Sequence, residues 1–447
     1  MALDPTVRIS PIRPVTQASA HTDPGHSEER RPPAVGDPLS GLDLLCLSHL
    51  RWDSVFQRPQ HLMSRCARER RVFFVEEPVA AEADRVDVHR SPEGVMVVVP
   101  RLAQPGAPDA DARLQELLDL TLEAHGVEHF VAWYYTPMAL AFTSHLEPAG
   151  VVYDCMDELS AFAGAPRELR FREEQLFRIA DVVTTGGLSL FDAKRDRHPN
   201  VHAFPSSVDV PHFARARRPQ RDPEDQAGIP RPRLGFFGVL DERLDLDLVA
   251  GVAAARPEWH LALIGPVAKI APASLPSAPN IHYLGRKNYA ELPSYLAGWD
   301  VALVPFARNE ATRFLSPTKT PEYLAAGKPV VSTSIRDIVQ PYGQLGLARI
   351  ADTVDEFVSA IEGALAEGGD ERVRRADAFL GDMSWDATWS RMLDIVRRAV
   401  QSKRQVRTGD HPVIAPLAAA EDVRGRGTLP AGSAGAATSS TEASDPA

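Results

Sequence analysis

Cysteine is scarce: Cys46, Cys66 and Cys155 are the only three in 447 residues. An odd number of widely spaced thiols excludes a disulfide framework and fits a reducing compartment; their settings read as ordinary core positions. No metal-ligand spacing involves them. Long apolar runs are missing too, so no stretch is expected to span a bilayer. The first residues hold Pro, Arg and Asp without an apolar core, unlike a secretory signal, and the expected location is the cytoplasm. Positive charge is in deficit: 49 Lys and Arg against 60 Asp and Glu leave a net charge of −11. That argues against nucleic-acid binding and against a general pull toward anionic membranes. A Walker-type loop, a Gly-x-Gly-x-x-Gly turn and a Ser/His/Asp order with an elbow motif are all absent from the chain.

What is present has the balance of a globular protein, 44% hydrophobic and 24% charged. The length allows two ordinary domains plus tails. Residues 1–40 are rich in Pro, Ser, His and charge, and residues 403–447 in Ala, Gly, Ser, Thr and Pro; both read as disordered tails. Between them, short apolar runs alternate with amphipathic stretches. Expected strands in the first half are Leu42–Leu47, Val72–Val75, Val95–Val99, His129–Trp133, Val151–Tyr153 and Asp181–Thr184. In the second half they are Arg233–Phe237, His260–Ile264, Ile281–Leu284, Val301–Val304 and Pro329–Ser332. Strand–helix alternation means parallel sheets with crossover helices. The fold class is therefore α/β: two doubly wound, Rossmann-like domains facing a cleft. The expected boundaries are 41–214 and 233–384, joined by a Pro- and Arg-rich hinge linker at 215–232 and followed by a helix at 385–402 in which Trp385 and Trp389 sit one turn apart.

The most informative stretch runs from Ser316 to Ser332. Ser316 suits a helix cap and Pro317 a first helical position, or the helix starts later with Thr320 as cap. Gly327 suits the left-handed stop, and Val330 begins a strand. The loop (Ser316, Thr318) and the helix start form an expected anion site, with Lys319 one turn in. Glu322 lies close enough to reach a sugar hydroxyl beside a bound phosphate. A cation and a carboxylate at one helix start suit a nucleotide diphosphate, the cation for the phosphates and the carboxylate for the ribose.

Here the chain resembles the GT-B glycosyltransferases of the family 4 type, the glycosyl transferases group 1. Glu322, Ala325 or Ala326, Gly327, Pro329 and Val330 fit that family's Glu-x-x-Ala-x-Gly-x-Pro-Val form. The family's earlier Glu, seven residues before, is replaced here by Phe314–Leu315, with Glu310 further upstream. The resemblance covers roughly residues 42 to 400. It implies transfer of a sugar from a nucleotide-diphosphate donor on the second domain to a glycan, lipid-linked or small-molecule acceptor entering from the first, with retention at the anomeric carbon. It places Gly238 and a nearby cation, Arg243, on the donor diphosphate, and directs attention to Arg286 and Lys287 for the base.

On the acceptor side, Asp53 and Arg58 follow the first strand, and Asp154 and Asp157 end another; either of those acids could orient a hydroxyl, act as a base, or cap the next helix. The pair Asp245–Asp247 formally matches an Asp-x-Asp metal motif but begins an amphipathic helix, so it reads as dipole-favoured acids and no metal is expected. Arg65, Arg68, Arg70 and Arg71 form either a solvated helix face or a weak peripheral membrane contact. A non-catalytic nucleotide-sugar-binding or scaffold protein, and a GT-B-fold nucleotide-sugar epimerase, are the alternative readings.

Overall fold

The computed structural model describes residues 8–9, 37–162 and 164–408. The remainder of both expected tails lies outside the described residues. Sixteen strands follow in order among the described residues: β1 Arg8–Ile9, β2 Asp43–Leu47, β3 Val72–Val75, β4 Val79–Ala80, β5 Arg85–Arg90, β6 Met96–Leu102, β7 Phe130–Tyr134, β8 Gly150–Cys155, β9 Val182–Thr185, β10 Val201–Ala203, β11 Arg233–Phe237, β12 His260–Ile264, β13 Ile281–Gly285, β14 Val301–Val304, β15 Val330–Ser332 and β16 Arg349–Ile350.

They form two sheets. The first runs β1-β5-β6-β3-β2-β7-β8-β9-β10, with β4 beside β6. The second runs β13-β12-β11-β14-β15-β16, and every pair in it is parallel. In the second sheet the chain order reverses between β11 and β14, the switch point at which doubly wound sheets open a ligand crevice beyond their strand ends. The first sheet has the same reversal between β2 and β7. Strands such as Leu44–Leu47, Val72–Val75 and Val301–Val304 are buried throughout, as parallel strands covered by helices on both faces must be.

Five strands escaped the sequence reading: β1, β4, β5, β10 and β16. β5 (Arg-Val-Asp-Val-His-Arg) pairs antiparallel with β6, and Asp87 on it takes hydrogen bonds from Arg85 and Arg101. Its alternating charges resemble a surface turn unless β6 is known to lie beside it. The tail boundaries also shift. Leu39 is buried, and Arg8–Ile9 pairs with β5. The last helix is Trp385–Thr408, longer than the expected 385–402.

That helix is capped by Ser384, whose Oγ accepts from the Ala387 N–H at 3.1 Å. It lays Trp385, Trp389, Met392, Leu393, Val396 and Val400 into the core of the first lobe, with Trp389 and Trp133 rings 5.9 Å apart. The stretch expected as a hinge, 215–232, is not a free linker. Arg217 donates to Ala325 O at 2.7 Å and pairs with Asp377, Arg233 pairs with Asp222 at 2.7 Å, and Gln226 accepts from the Trp299 indole at 2.9 Å. The stretch is pinned to the second lobe because its polar side chains find buried partners there.

The lobes meet in this structure. Arg286 donates to the Asp53 and Ser54 carbonyls at 2.7 and 2.5 Å. The Tyr289 ring lies 5.1 Å from Phe56 and stacks on His212 at 4.3 Å. Arg336 pairs with Asp192. Phe314 of the second lobe packs on the core of the first.

Candidate active site at the mouth of the second sheet

The helix of the main motif is short, Lys319–Ala325, with Thr318 at its N-cap. Ser316 and Thr320 do not cap it, and Pro317 is not its first residue, because the helix begins two residues later. Pro321 is tolerated since a first-turn N–H has no helical partner. The helix ends at Gly327 (φ +73°), whose N–H meets Leu324 O while the Lys328 N–H meets Tyr323 O, both at 2.9 Å. This left-handed stop turns the chain straight into β15. Tyr323 fixes the helix against β11: its hydroxyl accepts the Phe237 N–H at 3.1 Å, and its ring sits edge-on to Phe237 at 5.0 Å.

With the helix fixed, Lys319 crosses the strand end at Gly238. A Cβ on Gly238 would collide with Lys319 Cε and stand 3.0 Å from its Nζ; the residue also holds φ +150°, where only glycine is at ease. Lys319 Nζ lies 5.7 and 5.6 Å from the Phe236 and Phe306 rings. Burial draws the Lys319 ammonium below the ordinary lysine range, and the neighbouring Arg243 charge lowers it further, while Glu322, Asp241 and Asp157 oppose. Glu322 is buried, and burial pushes its carboxyl up against the pull of Lys319. Glu322 Oε2, Thr320 Oγ1 and Tyr289 OH are all buried without a hydrogen-bond partner. Unsatisfied buried polar atoms are costly and call for an explanation. Glu322 and Tyr289 feel each other electrostatically, and with Lys319 beside Glu322 they form a site shaped for something polar.

Arg243 reaches the same group. Asp241 holds it in a bidentate pair, Nε to Oδ1 at 2.9 Å and Nη2 to Oδ2 at 2.7 Å, which raises the guanidinium further against burial. From the first lobe, Asp157 acts electrostatically on Lys319, Arg243 and His49. Burial lowers the His49 imidazole; its ring bonds to the Tyr135 backbone, and Nδ1 is left without a partner. Opposite, Lys269 sits in the left-handed region (φ +60°) with Nζ 4.3 Å from the Phe162 ring, and Arg243 lies over the same ring at 5.9 Å.

The structure thus brings together Gly238, Arg243, Asp157, Lys319 and Glu322, with Ser316 and Thr318 half-buried on the adjoining loop. Others of the expected site residues stand elsewhere. Arg58 and Asp154 face each other inside the first lobe, with Nη2 to Oδ1 at 2.8 Å and Nε to Oδ2 at 3.0 Å. Arg58 Nη1 donates to Phe204 O at 2.7 Å, and Thr184 donates to Asp154 at 2.8 Å. Both side chains are buried, so neither is open to an acceptor. Lys287 turns to Asp225 at 2.6 Å and to the Tyr295 ring. Arg286 spends its guanidinium on the Asp53 and Ser54 carbonyls, and the Asp53 carboxylate is exposed beside His89. The Arg65–Arg71 run is also largely committed: Arg65 and Arg68 to Asp386, Arg71 to Asp43.

His49, Asp241 and Lys269 were missed by the sequence reading, and Thr320 was read only as a cap. Only Asp241 left a trace, as an acid two residues before Arg243. The others matter through contacts that no local pattern encodes.

Comparison with known proteins agrees with this geometry. The family description Glycosyl transferases group 1 matches residues 231–367, which hold the whole Lys319–Glu322 site. A Bacillus subtilis protein assigned to teichuronic acid biosynthesis as a glycosyltransferase is 28% identical over 282 residues, covering 58% of this chain and 70% of its own. Among solved structures, sucrose-phosphate synthase from Thermosynechococcus elongatus superposes with a TM-score of 0.60 at 14% identity, covering 82% of this chain and all of that one. The trehalose-6-phosphate protein of E. coli bound with UDP-2-fluoro glucose gives 0.61 at 13% identity over 80% of this chain and 99% of its own. Among the described residues no helix is long and apolar enough to cross a membrane. A matched segment around the site and two facing doubly wound sheets lead to one statement: residues 231–367 are similar to the glycosyl transferases group 1, and the chain is built on the GT-B fold.

Proposed function

We propose that the chain moves a sugar from a nucleotide-diphosphate donor, held by the second lobe, to a glycan, lipid-linked or small-molecule acceptor presented by the first. The observation that carries this reading is the Lys319–Glu322 pair, a buried carboxylate with an unpartnered oxygen one turn from a cation at the switch point. Lys319 and Arg243 lie side by side and repel when both are charged. A bound diphosphate relieves that repulsion, and it restores the Lys319 charge that burial suppresses. Glu322 Oε2 supplies the acceptor for a ribose or sugar hydroxyl.

Bond breaking then separates the anomeric carbon, with oxocarbenium character, from the diphosphate. Arg243 and Lys319 offset the charge that grows on the leaving group, which is the role of a preorganised electrostatic site and requires no metal from this residue set. Retention at the anomeric carbon follows from the family resemblance. Asp157 is the acid best placed from the first lobe to orient the incoming hydroxyl. Closure of the lobes around the donor would exclude water, which would otherwise hydrolyse it. The E. coli structure solved with a UDP-sugar analogue favours a uridine donor as the first to try.

The test is a screen of UDP-, GDP- and ADP-sugars by thermal shift, followed by nucleotide release in the presence and absence of chelator. A ligand that prefers the folded form raises its melting temperature. Slow release that chelator leaves unchanged supports the transferase without metal. Tight binding without any release identifies a sensor of nucleotide sugars instead.

A further inference from the structure

The helix Leu188–Lys194 of the first lobe starts at Gly187, an N-cap in extended backbone with no side chain to offer its free N–H groups. The cap comes from the other lobe. Asp337 Oδ1 accepts the Ser189 N–H at 3.0 Å, and the carboxyl is buried. A Cβ on Gly187 would strike Asp337 Oδ2 and stand 2.6 Å from Ser316 Cβ. The absence of a side chain at Gly187 is therefore what lets Asp337, and the loop that leads into Lys319, close on this helix.

The same helix leads to the acceptor side by two routes. A Cβ on Gly186 would lie 2.5 Å from Met156 O, so the residue before Asp157 rests on the double glycine. At the far end of the helix, Lys194 binds Glu158 at 2.6 Å and Glu173 at 2.8 Å. Asp157 is thus held from both sides by the element that Asp337 caps.

We propose that Asp337 is a cross-lobe positioning residue: it completes the N-terminus of helix Leu188–Lys194 only when the lobes are shut, and so sets Asp157 against the Ser316–Lys319 loop at the moment of transfer. This rests on the transferase reading for its kinetic consequence, but not for its structural one. When the lobes part, Ser189 loses its acceptor, Asp337 returns to water, and the Arg336–Asp192 pair beside it separates. A capping oxygen matters here because first-turn N–H groups have no helical partner. Asp337 touches no reacting atom. Its effect therefore falls on kcat, while donor KM, set by groups on the second lobe, moves little.

The experiment uses the full-length chain with Asp337→Ala, Asp337→Asn and Gly187→Ala, read by small-angle scattering without ligand, by nucleotide affinity and by transfer kinetics. Asp337→Ala and Gly187→Ala should enlarge the radius of gyration and lower kcat by about tenfold, the scale of one lost capping bond. Nucleotide affinity should change by less than about threefold. Asp337→Asn, which keeps a carbonyl oxygen for Ser189, should recover most of both. Unchanged scattering and kcat in Asp337→Ala overturn the proposal, as does an Asn variant no better than Ala. If Gly187→Ala fails to fold, the two Asp337 variants decide alone. Scattering needs no turnover: wild type compact and Asp337→Ala expanded, with no donor ever consumed, sustains the positioning role while sinking the transferase reading.

Discussion

Two cation–carboxylate pairs stand near strand ends in the two lobes, and they differ in every respect that matters. Arg58 and Asp154 meet in a fork of contacts at 2.8 to 3.2 Å, and further bonds to Phe204 and Thr184 complete both. Lys319 and Glu322 share an electrostatic field without any such bond, and one oxygen of Glu322 has no partner. Chemistry alike in kind has been satisfied in one place and left open in the other. A closed pair holds the fold together, whereas an open one holds a place for a ligand. Raised and lowered proton affinities follow the same division. Charge partners push Arg58 up despite burial, while Lys319 is drawn down and Glu322 up, each toward its neutral form.

The sharpest way to break this comparison is to remove one member of the closed pair. Arg58→Met or Asp154→Leu alone should cost about 3–5 kcal/mol of stability by leaving the other charge buried and unpaired. Denaturant unfolding checks it; a midpoint shift worth under about 1 kcal/mol would place Arg58 and Asp154 among the ornamental pairs. The open pair should behave in the opposite way. Lys319→Ala and Glu322→Gln should each weaken donor binding or turnover by ~1.5–3 kcal/mol, tenfold or more. Their melting temperatures should hold or rise, since the unliganded fold loses only an uncomfortable charge.

A pH series sharpens the point. Lys319, with its proton loss brought down to about 8, should lose its hold on diphosphate as pH rises through that value. Nucleotide affinity measured from pH 6.5 to 9.5 should fall at the alkaline end, and Lys319→Arg, which stays charged, should flatten the fall. Affinity that is level across the range would remove Lys319 from the phosphates.

The smallest effect belongs to the joint between the lobes. His61 stacks on Trp385 at 4.5 Å, and burial, with Arg65 and His212 nearby, lowers its imidazole well below the ordinary range. A histidine depressed in the fold binds its proton more readily when unfolded. Stability should therefore be intact above pH ~6.5 and decline as pH falls below it. His61→Phe should lessen that acid decline in a melting-temperature series; a slope identical to wild type would exclude His61 as its source.

The sequence was legible where local pattern and tertiary role coincide. Continuous apolar runs such as Val301–Val304 could only be buried strands, and eleven strands found by that rule gave the doubly wound fold. Lys319 and Glu322 were legible because three residues of helix place them together whatever surrounds them. Asp154 was misread for the converse reason. An acid at a strand end looks the same whether it faces a cleft or an arginine 96 positions away. Ser316 passed for a cap because serine commonly is one, yet the backbone enters the helix only at Thr318. His49 and Asp337 carried no signal at all, since each acquires its meaning from the other side of a long-range contact.

The claim on which the account turns is that the open pair awaits a nucleotide diphosphate. Titration calorimetry of the nucleotide diphosphate that stabilises the wild type most, repeated on Lys319→Ala and on Glu322→Gln, tests it most directly. The account predicts affinity down by about tenfold or more in both variants, with unchanged unfolding. Wild-type affinity in the two together would contradict it.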